Sequence, residues 1–173
     1  VSVTHSDYKD IVASAANRCK DSGGRLTVKR EEILKVLLAS KIPLSAYEVL
    51  DLYKEQTQES MPPMSVYRIL EFLEQQELIH RLGSQNKFIA CSHIKQDCAH
   101  QVSQFLICRN CQSVKEVSIA QALVKELNEQ VKEADYQLLS PQLELDCICS
   151  TCLKEERLKE ENLKNKKESA ESE

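Results

Sequence analysis

Two cysteine pairs carry the plainest chemistry in this chain. Two residues separate Cys108 from Cys111, and two separate Cys149 from Cys152. Four thiolates satisfy tetrahedral zinc at Zn–S distances of about 2.3 Å. The stretch between the pairs is longer than the insert of a common zinc ribbon. A folded strand–helix–strand insert would bring the two pairs together. An ion held there would pin the end of the chain onto a sheet and contribute folding free energy. Redox-active pairs and buried free thiols are the other readings of the same spacing. The chain opens without the basic start and apolar core of a secretory signal. Its eight cysteines are therefore expected in a reducing compartment, where short pairs read first as metal ligands.

The elements that must position these residues are legible as periodic patterns. The first half reads as helices. One runs from about His5 to Asp21 and stops at Ser22-Gly23-Gly24. Thr27 is expected to cap a second helix, with Ile33, Leu34, Leu37 and Leu38 on one face. Ser45-x-x-Glu48 is a capping box, followed by Ala46, Val49, Leu50 and Tyr53 at helical spacing. After Pro62-Pro63, a fourth helix is expected to start near Ser65 and to bury Val66, Ile69, Leu70 and Leu73. Its other side displays Tyr67, Arg68 and Glu71. Two short apolar runs, Leu78–Leu82 and Lys87–Cys91, flank the turn-forming Gly83-Ser84-Gln85-Asn86 and predict a hairpin. Helices followed by a hairpin are the layout of a winged helix, in which the helix before the wing enters the major groove. A generic small helical domain with a hairpin fits the same pattern.

The second half is a small α+β unit. Strands are expected at Gln104–Cys108, Val114–Val117 and Leu143–Cys147. Ser118-x-x-Gln121 reads as a further capping box, opening a helix with Ala120, Leu123, Val124, Leu127 and Val131 on one face. The chain thus divides into 1–91, a hinge at 92–103, a domain at 104–153, and a charged tail at 154–173 with six basic and seven acidic residues. That tail reads as a frayed helix or disorder.

The net charge of −4 does not announce a nucleic-acid binder. Residues 18–30, however, carry Arg18, Lys20, Arg25, Lys29 and Arg30 against Asp21 alone. A local basic end can grip phosphates while the whole chain stays acidic. No run approaches the roughly 20 apolar residues that span a bilayer, so the expected location is the cytoplasm, with no membrane partner.

Taken in order, Arg25-Leu26-Thr27, Ser45-Ala46-Tyr47-Glu48-Val49-Leu50-Asp51, Pro63-Met64-Ser65-Val66-Tyr67-Arg68-Ile69-Leu70, Leu78-Ile79-His80-Arg81, Cys108-Arg109-Asn110-Cys111 and Cys149-Ser150-Thr151-Cys152 resemble the ferric uptake regulator family over about residues 8–153. The resemblance implies a homodimer, an N-terminal winged helix-turn-helix domain that binds double-stranded operator DNA, a C-terminal α/β dimerisation domain, and a structural zinc on the four cysteines. Family members often carry glycine in the turn after the first pair, where this chain has Gln112. Iron-sensing relatives show a His-His-Asp-His run before that pair; here Asp97-Cys98-Ala99-His100 stands there. The chain is instead similar to the zinc uptake branch. The matching positions imply a second, sensing zinc on His80, Cys91, His100 and Glu116, hence two ions per chain. One sulfur, two imidazoles and one carboxylate make a tetrahedral set. His93 and Cys98 are rival ligands for the place of His100.

Arg68 is the expected base reader, since arginine donates two hydrogen bonds to guanine in the major groove. The resemblance adds Tyr47, near base edges or the backbone. Ser65 and Tyr67 are expected on phosphates, with Arg25, Lys29 and Arg30 supplying charge. Cys19 is expected in the core and Cys147 in a strand beside the four-cysteine site. The function implied is a zinc-responsive repressor of zinc uptake genes, neither an enzyme nor a binder of a small-molecule substrate. The rivals are a family member sensing iron, peroxide or another metal, and a zinc-containing redox protein using its cysteine pairs.

Overall fold

The computed structural model describes residues 5–95, 102–139 and 142–159. Four helices come first: α1 (His5–Asp21), α2 (Val28–Ala39), α3 (Ala46–Thr57) and α4 (Pro63–Gln75). An antiparallel hairpin of β1 (Ile79–Leu82) and β2 (Lys87–Ala90) follows, in register from Ile79 opposite Ala90 to Leu82 opposite Lys87. Leu44 forms an isolated antiparallel bridge to Phe88 of this wing. β3 (Ser103–Cys108), β4 (Val114–Ser118), α5 (Gln121–Glu133) and β5 (Leu143–Cys147) form the second half. Its sheet has the order β4-β3-β5, antiparallel between β3 and β4 and parallel between β3 and β5. Residues 150–159 are helical. The expected α+β class, with a winged helix ahead of a mixed α/β unit, is the architecture observed.

Several helix ends of the first half have a local reason. α1 stops where Gly23 takes a left-handed φ of 77° and Gly24 N donates back to Cys19 O. α3 opens on the predicted box: Ser45 Oγ accepts from Glu48 N, and the Glu48 carboxylate accepts from Ser45 N. Those bonds from Ser45 hold the Glu48 carboxyl below its usual range. Ser45→Ala should therefore lower stability by about 1 kcal/mol, read as an earlier urea midpoint with an unchanged slope. Thr27 stands at the N-cap of α2 without a side-chain cap bond. α4 starts two residues before Ser65, at Pro63, because proline at the first helical position lacks only an N–H that would have no partner there.

The apolar faces of α2, α3 and α4 close on Ile33, Leu34, Leu37, Val49, Tyr53, Val66, Leu70 and Leu73, all buried. Cys19 lies in this core, as expected. So does Ile94, beyond the wing, and Arg18 Nη2 donates to its carbonyl at 3.3 Å. The start of the linker is thus packed on the N-terminal unit. A second, smaller core joins the two halves: Leu82 and Ile89 of the wing pack with Phe105 and Ile107 of β3.

The Ser118 capping box does not form. Ser118 is the last residue of β4, opposite Ser103, and the N-cap of α5 is Ala120, which makes no side-chain cap bond. Strand pairing takes the residue that local pattern assigned to the helix. α5 buries no residue within a single chain. Leu123 is half exposed, and Leu145 on β5 and Ile148 just after it are also open.

Candidate metal centres and nucleic-acid face

The four-cysteine centre is built from two chain reversals. Cys108 ends β3, and the chain turns back through Gln112, whose φ of 59° is left-handed. Gln112 N donates to Cys108 O, and its side-chain amide donates to Arg109 O. Glycine adopts that conformation at lower cost than other residues. Cys149 and Cys152 stand at the start of the last helix. Arg109 pairs with Asp146 at 2.7 Å and Asn110 donates to Glu156, tying the two reversals together. All four sulfurs lie within 4.8 Å of one another. Cys111 and Cys149 are 3.8 Å apart, which matches the roughly 3.8 Å edge of a tetrahedron with Zn–S bonds of about 2.3 Å.

The electrostatics ask for a cation. Hydrogen bonds from the Cys111 and Cys149 backbone pull the Cys108 thiol down to about 6. The neighbouring Cys149 sulfur and burial push Cys152 up. One sulfur ionises readily and its neighbour then resists. A divalent ion removes that conflict by compensating every thiolate at once. Cys147 is half-buried in β5 opposite Cys108, beside the centre as expected and outside the four-sulfur set.

The second centre joins the two halves. His80 on β1, Cys91 just after β2, and Glu116 on β4 bring one donor each to within 4.8 Å of the others. His80 Nε2 is shielded from solvent. It lies 3.1 Å from Glu116 Oε1 yet makes no aligned hydrogen bond. A buried ring nitrogen of this kind is costly unless something accepts its lone pair or proton. Burial works against a charged His80, but the Cys91 sulfur and the Glu116 carboxylate outweigh it and raise the imidazole to about 9. Burial likewise opposes ionised Glu116. The His80 imidazole and the hydrogen bonds from Ser92 prevail and hold its carboxyl far below the usual range. Imidazole, thiolate and carboxylate in one pocket are a donor set suited to zinc.

Glu116 is oriented by more than the metal set. Ser92 donates to it through N (2.9 Å) and Oγ (2.7 Å), and Ser103 through Oγ (2.8 Å). Sequence reasoning missed both serines, because nothing local marks a serine that serves a carboxylate on another element. His93 Nδ1 lies 3.4 Å from Glu116 Oε1 and is partly exposed. His100 and Cys98 lie outside the described residues, so three of the four expected sensing ligands are seen to converge.

The remaining site residues lie on the helical half. Tyr47 (62% exposed) and Tyr67 (39%) stand edge to face, 6.5 Å apart, joining the start of α3 to α4. Arg68 is exposed on α4, and Ser65 is half-buried in its first turn. Lys29 and Arg25 are exposed near the start of α2. Arg30 is placed differently: its guanidinium lies 3.4 Å over the Phe72 ring and donates to Arg25 O. It ties the α2 entry to α4.

Fold and sites together define a winged-helix protein whose wing meets a second domain at side chains that could hold a metal ion. The ferric uptake regulator family profile matches residues 21–146. The zinc uptake regulation proteins of Escherichia coli (strain K12) and Shigella flexneri are each 30% identical to this chain over 148 residues, covering 86% of it and 84% of their own length. A solved zinc uptake regulator complexed with zinc and DNA superposes with a TM-score of 0.76 at 28% identity, covering 87% of this chain and 97% of that one. Holo XcZur gives 0.70 at 32% identity, covering 82% and 96%. The chain belongs to the ferric uptake regulator family.

Proposed function

We propose that this protein is a zinc-responsive, sequence-specific DNA-binding repressor of zinc uptake genes, working as a homodimer in the cytoplasm. One observation carries the reading: His80 and Cys91 of the wing and Glu116 of the second domain converge on one point. Zinc there completes its coordination with His100, or with His93 or Cys98 in its place, and fixes the wing against the sheet. A second zinc sits on Cys108, Cys111, Cys149 and Cys152 and holds the end of the chain to the sheet, giving two ions per chain. The reading is of a regulator without a catalytic step. On this reading a fourth protein ligand completes the hinge centre as four cysteines do the other, whereas a hydrolytic zinc keeps one position open for water.

The dimer follows from α5. Leu123, Val124, Leu127 and Val131 form one apolar stripe, and no residue of this helix is buried in a single chain. A second copy supplies the cover. With both wings fixed, the two α4 helices stand at one separation, which must be about one DNA turn or a multiple of it to enter successive major grooves. Without the hinge zinc the wings sample other angles and DNA binding weakens. Zinc and DNA then favour each other by linkage.

Arg68 reads bases, Tyr47 lies near base edges or the backbone, Ser65 and Tyr67 contact phosphates, and Arg25, Lys29 and Arg30 add charge there, Arg30 while packed on Phe72. Arg68→Ala is expected to relax base preference, with a loss of about 1–3 kcal/mol on the preferred site only. Lys29→Ala should weaken all sequences alike and reduce the salt slope by about 1. Binding to specific and random duplexes across a salt series checks both.

The test of the function starts by selecting duplexes from a random pool at saturating zinc. Binding of the selected site is then measured across buffered free zinc, alongside zinc per chain. Two zincs per chain, one removed by a mild chelator together with DNA affinity, is the expected result. DNA affinity indifferent to free zinc would sink the reading, and a response to iron in place of zinc would move the chain to another branch.

A further inference from the structure

Phe105 of β3 stands opposite Glu116 on β4 and opposite Glu144 on β5. Partners in register share a face of the sheet, so the three side chains form a row: carboxylate, ring, carboxylate. The wing lies along this row. At one end His80 meets Glu116, with its ring 5.0 Å from that of Phe105. In the middle Leu82 and Ile89 pack on Phe105. At the far end the wing turn meets Glu144, and that contact needs no metal.

The Glu144 carboxylate accepts from Gly83 N at 2.7 Å and from Ser84 N at 3.0 Å, one bond on each oxygen, and also from the Ser84 hydroxyl. Gln142 reinforces it, donating to Glu144 Oε1 and to Arg81 O, both at 2.9 Å. Burial opposes ionisation of Glu144, but the bonds from Ser84 and Gly83 prevail and hold it below the usual carboxylate range. Hydrogen bonds to an ionised acceptor are about twice as strong as neutral ones.

We propose that Glu144 is a metal-independent latch: a positioning residue that holds the wing turn on the C-terminal sheet in the orientation where His80, Cys91 and Glu116 converge. The proposal rests on the reading that wing–sheet closure is the DNA-binding state. The latch holds one end of the row, so the sensing metal has to close only the other. It thereby sets how much free zinc is needed to switch the protein on. Without it the wing pivots about Phe105, and the donors meet less often.

The full-length protein tests this with the four-cysteine zinc kept and the hinge zinc chelated. Amide hydrogen exchange is read at Gly83 and Ser84 by NMR in wild type, Glu144→Ala and Glu144→Gln. Both amides should be protected in wild type and exchange about tenfold faster in Glu144→Ala, with Glu144→Gln between, since an amide keeps one acceptor oxygen. At saturating zinc both variants should hold wild-type zinc per chain, while the free zinc for half-maximal DNA binding rises by a similar factor. Wild-type exchange at Gly83 and Ser84 in Glu144→Ala, or an unmoved zinc midpoint, overturns the latch. Faster exchange throughout β3 and α4 overturns it as well, by showing a general loss of structure. The exchange measurement involves neither DNA nor the hinge zinc. A wild-type protein whose DNA binding ignores zinc therefore sinks the sensing reading separately and leaves the amides to decide the latch.

Discussion

Cys149→Ser should release one zinc per chain and cost the C-terminal half its dimeric structure. Serine does not supply a thiolate, and three sulfurs do not restore the four-fold compensation that the centre needs. Structural zinc contributes about 10–16 kcal/mol of apparent folding free energy in small metal-dependent peptides at neutral pH, whereas a whole domain is stable by about 5–15 kcal/mol. Losing even a fraction of the former is therefore decisive. The geometry says where the loss falls. The last helix meets the β3–β4 turn through the sulfurs and through Asn110 with Glu156, and the latter bond is exposed. The N-terminal core contains none of the four ligands, so the helical signal of α1 to α4 should persist. Zinc content, sedimentation and circular dichroism together read the outcome: about one zinc fewer per chain, monomers, and partial loss of structure. Cys147→Ser is the matched control, since Cys147 neighbours the centre on β5 without belonging to it, and it should keep both the metal and the dimer. A Cys149→Ser protein that stays dimeric with wild-type zinc would remove the four-cysteine centre from the account.

What could be read from sequence divides by the range of the interaction. Ser45-x-x-Glu48 was legible because both partners of the box lie within one helical turn. The same pattern at Ser118 misled, because pairing with Ser103 on β3 claims that residue for the sheet; a tertiary contact overrode a local preference. The cysteine pairs were legible because each pair is local and its spacing is itself the chemistry. The hinge set was not readable from spacing. His80, Cys91 and Glu116 became candidate ligands only through family resemblance, and their convergence depends on how the wing docks on β3. The residues that orient them were invisible for the same reason. Ser92 reaches Glu116 across 24 positions and Ser84 reaches Glu144 across 60, and no pattern in the chain marks either. Arg30 shows a contact that the sequence did not reveal: its place in a basic stretch suggested phosphate, and its guanidinium also packs over the Phe72 ring.

Glu116→Ala is expected to raise the free zinc needed for DNA binding at least about 100-fold, the upper end of what loss of a mere supporting residue costs. The variant removes a proposed ligand, and it also strips Ser92, Ser103 and His80 of their shared partner. Its pH dependence separates these effects from a general loss of fold. In the metal-free protein His80 titrates at about 9, above its ordinary 6.5. A folded value above the unfolded one means stabilisation that is complete below about 6.5 and lost as pH rises through 9. Metal binding runs the other way, because the ring must give up its proton to become a ligand. Zinc affinity should therefore climb with pH until about 9 in the wild type. Without the Glu116 carboxylate, His80 should titrate lower, though the Cys91 sulfur still holds it up, and the climb should level off at correspondingly lower pH. Histidine resonances of the metal-free protein and zinc midpoints from pH 6 to 9.5 read the two quantities independently. If Glu116→Ala left the His80 titration and the shape of the zinc curve where they were, the carboxylate would not be facing the imidazole in solution, and the joint between wing and sheet would have to be built from other residues.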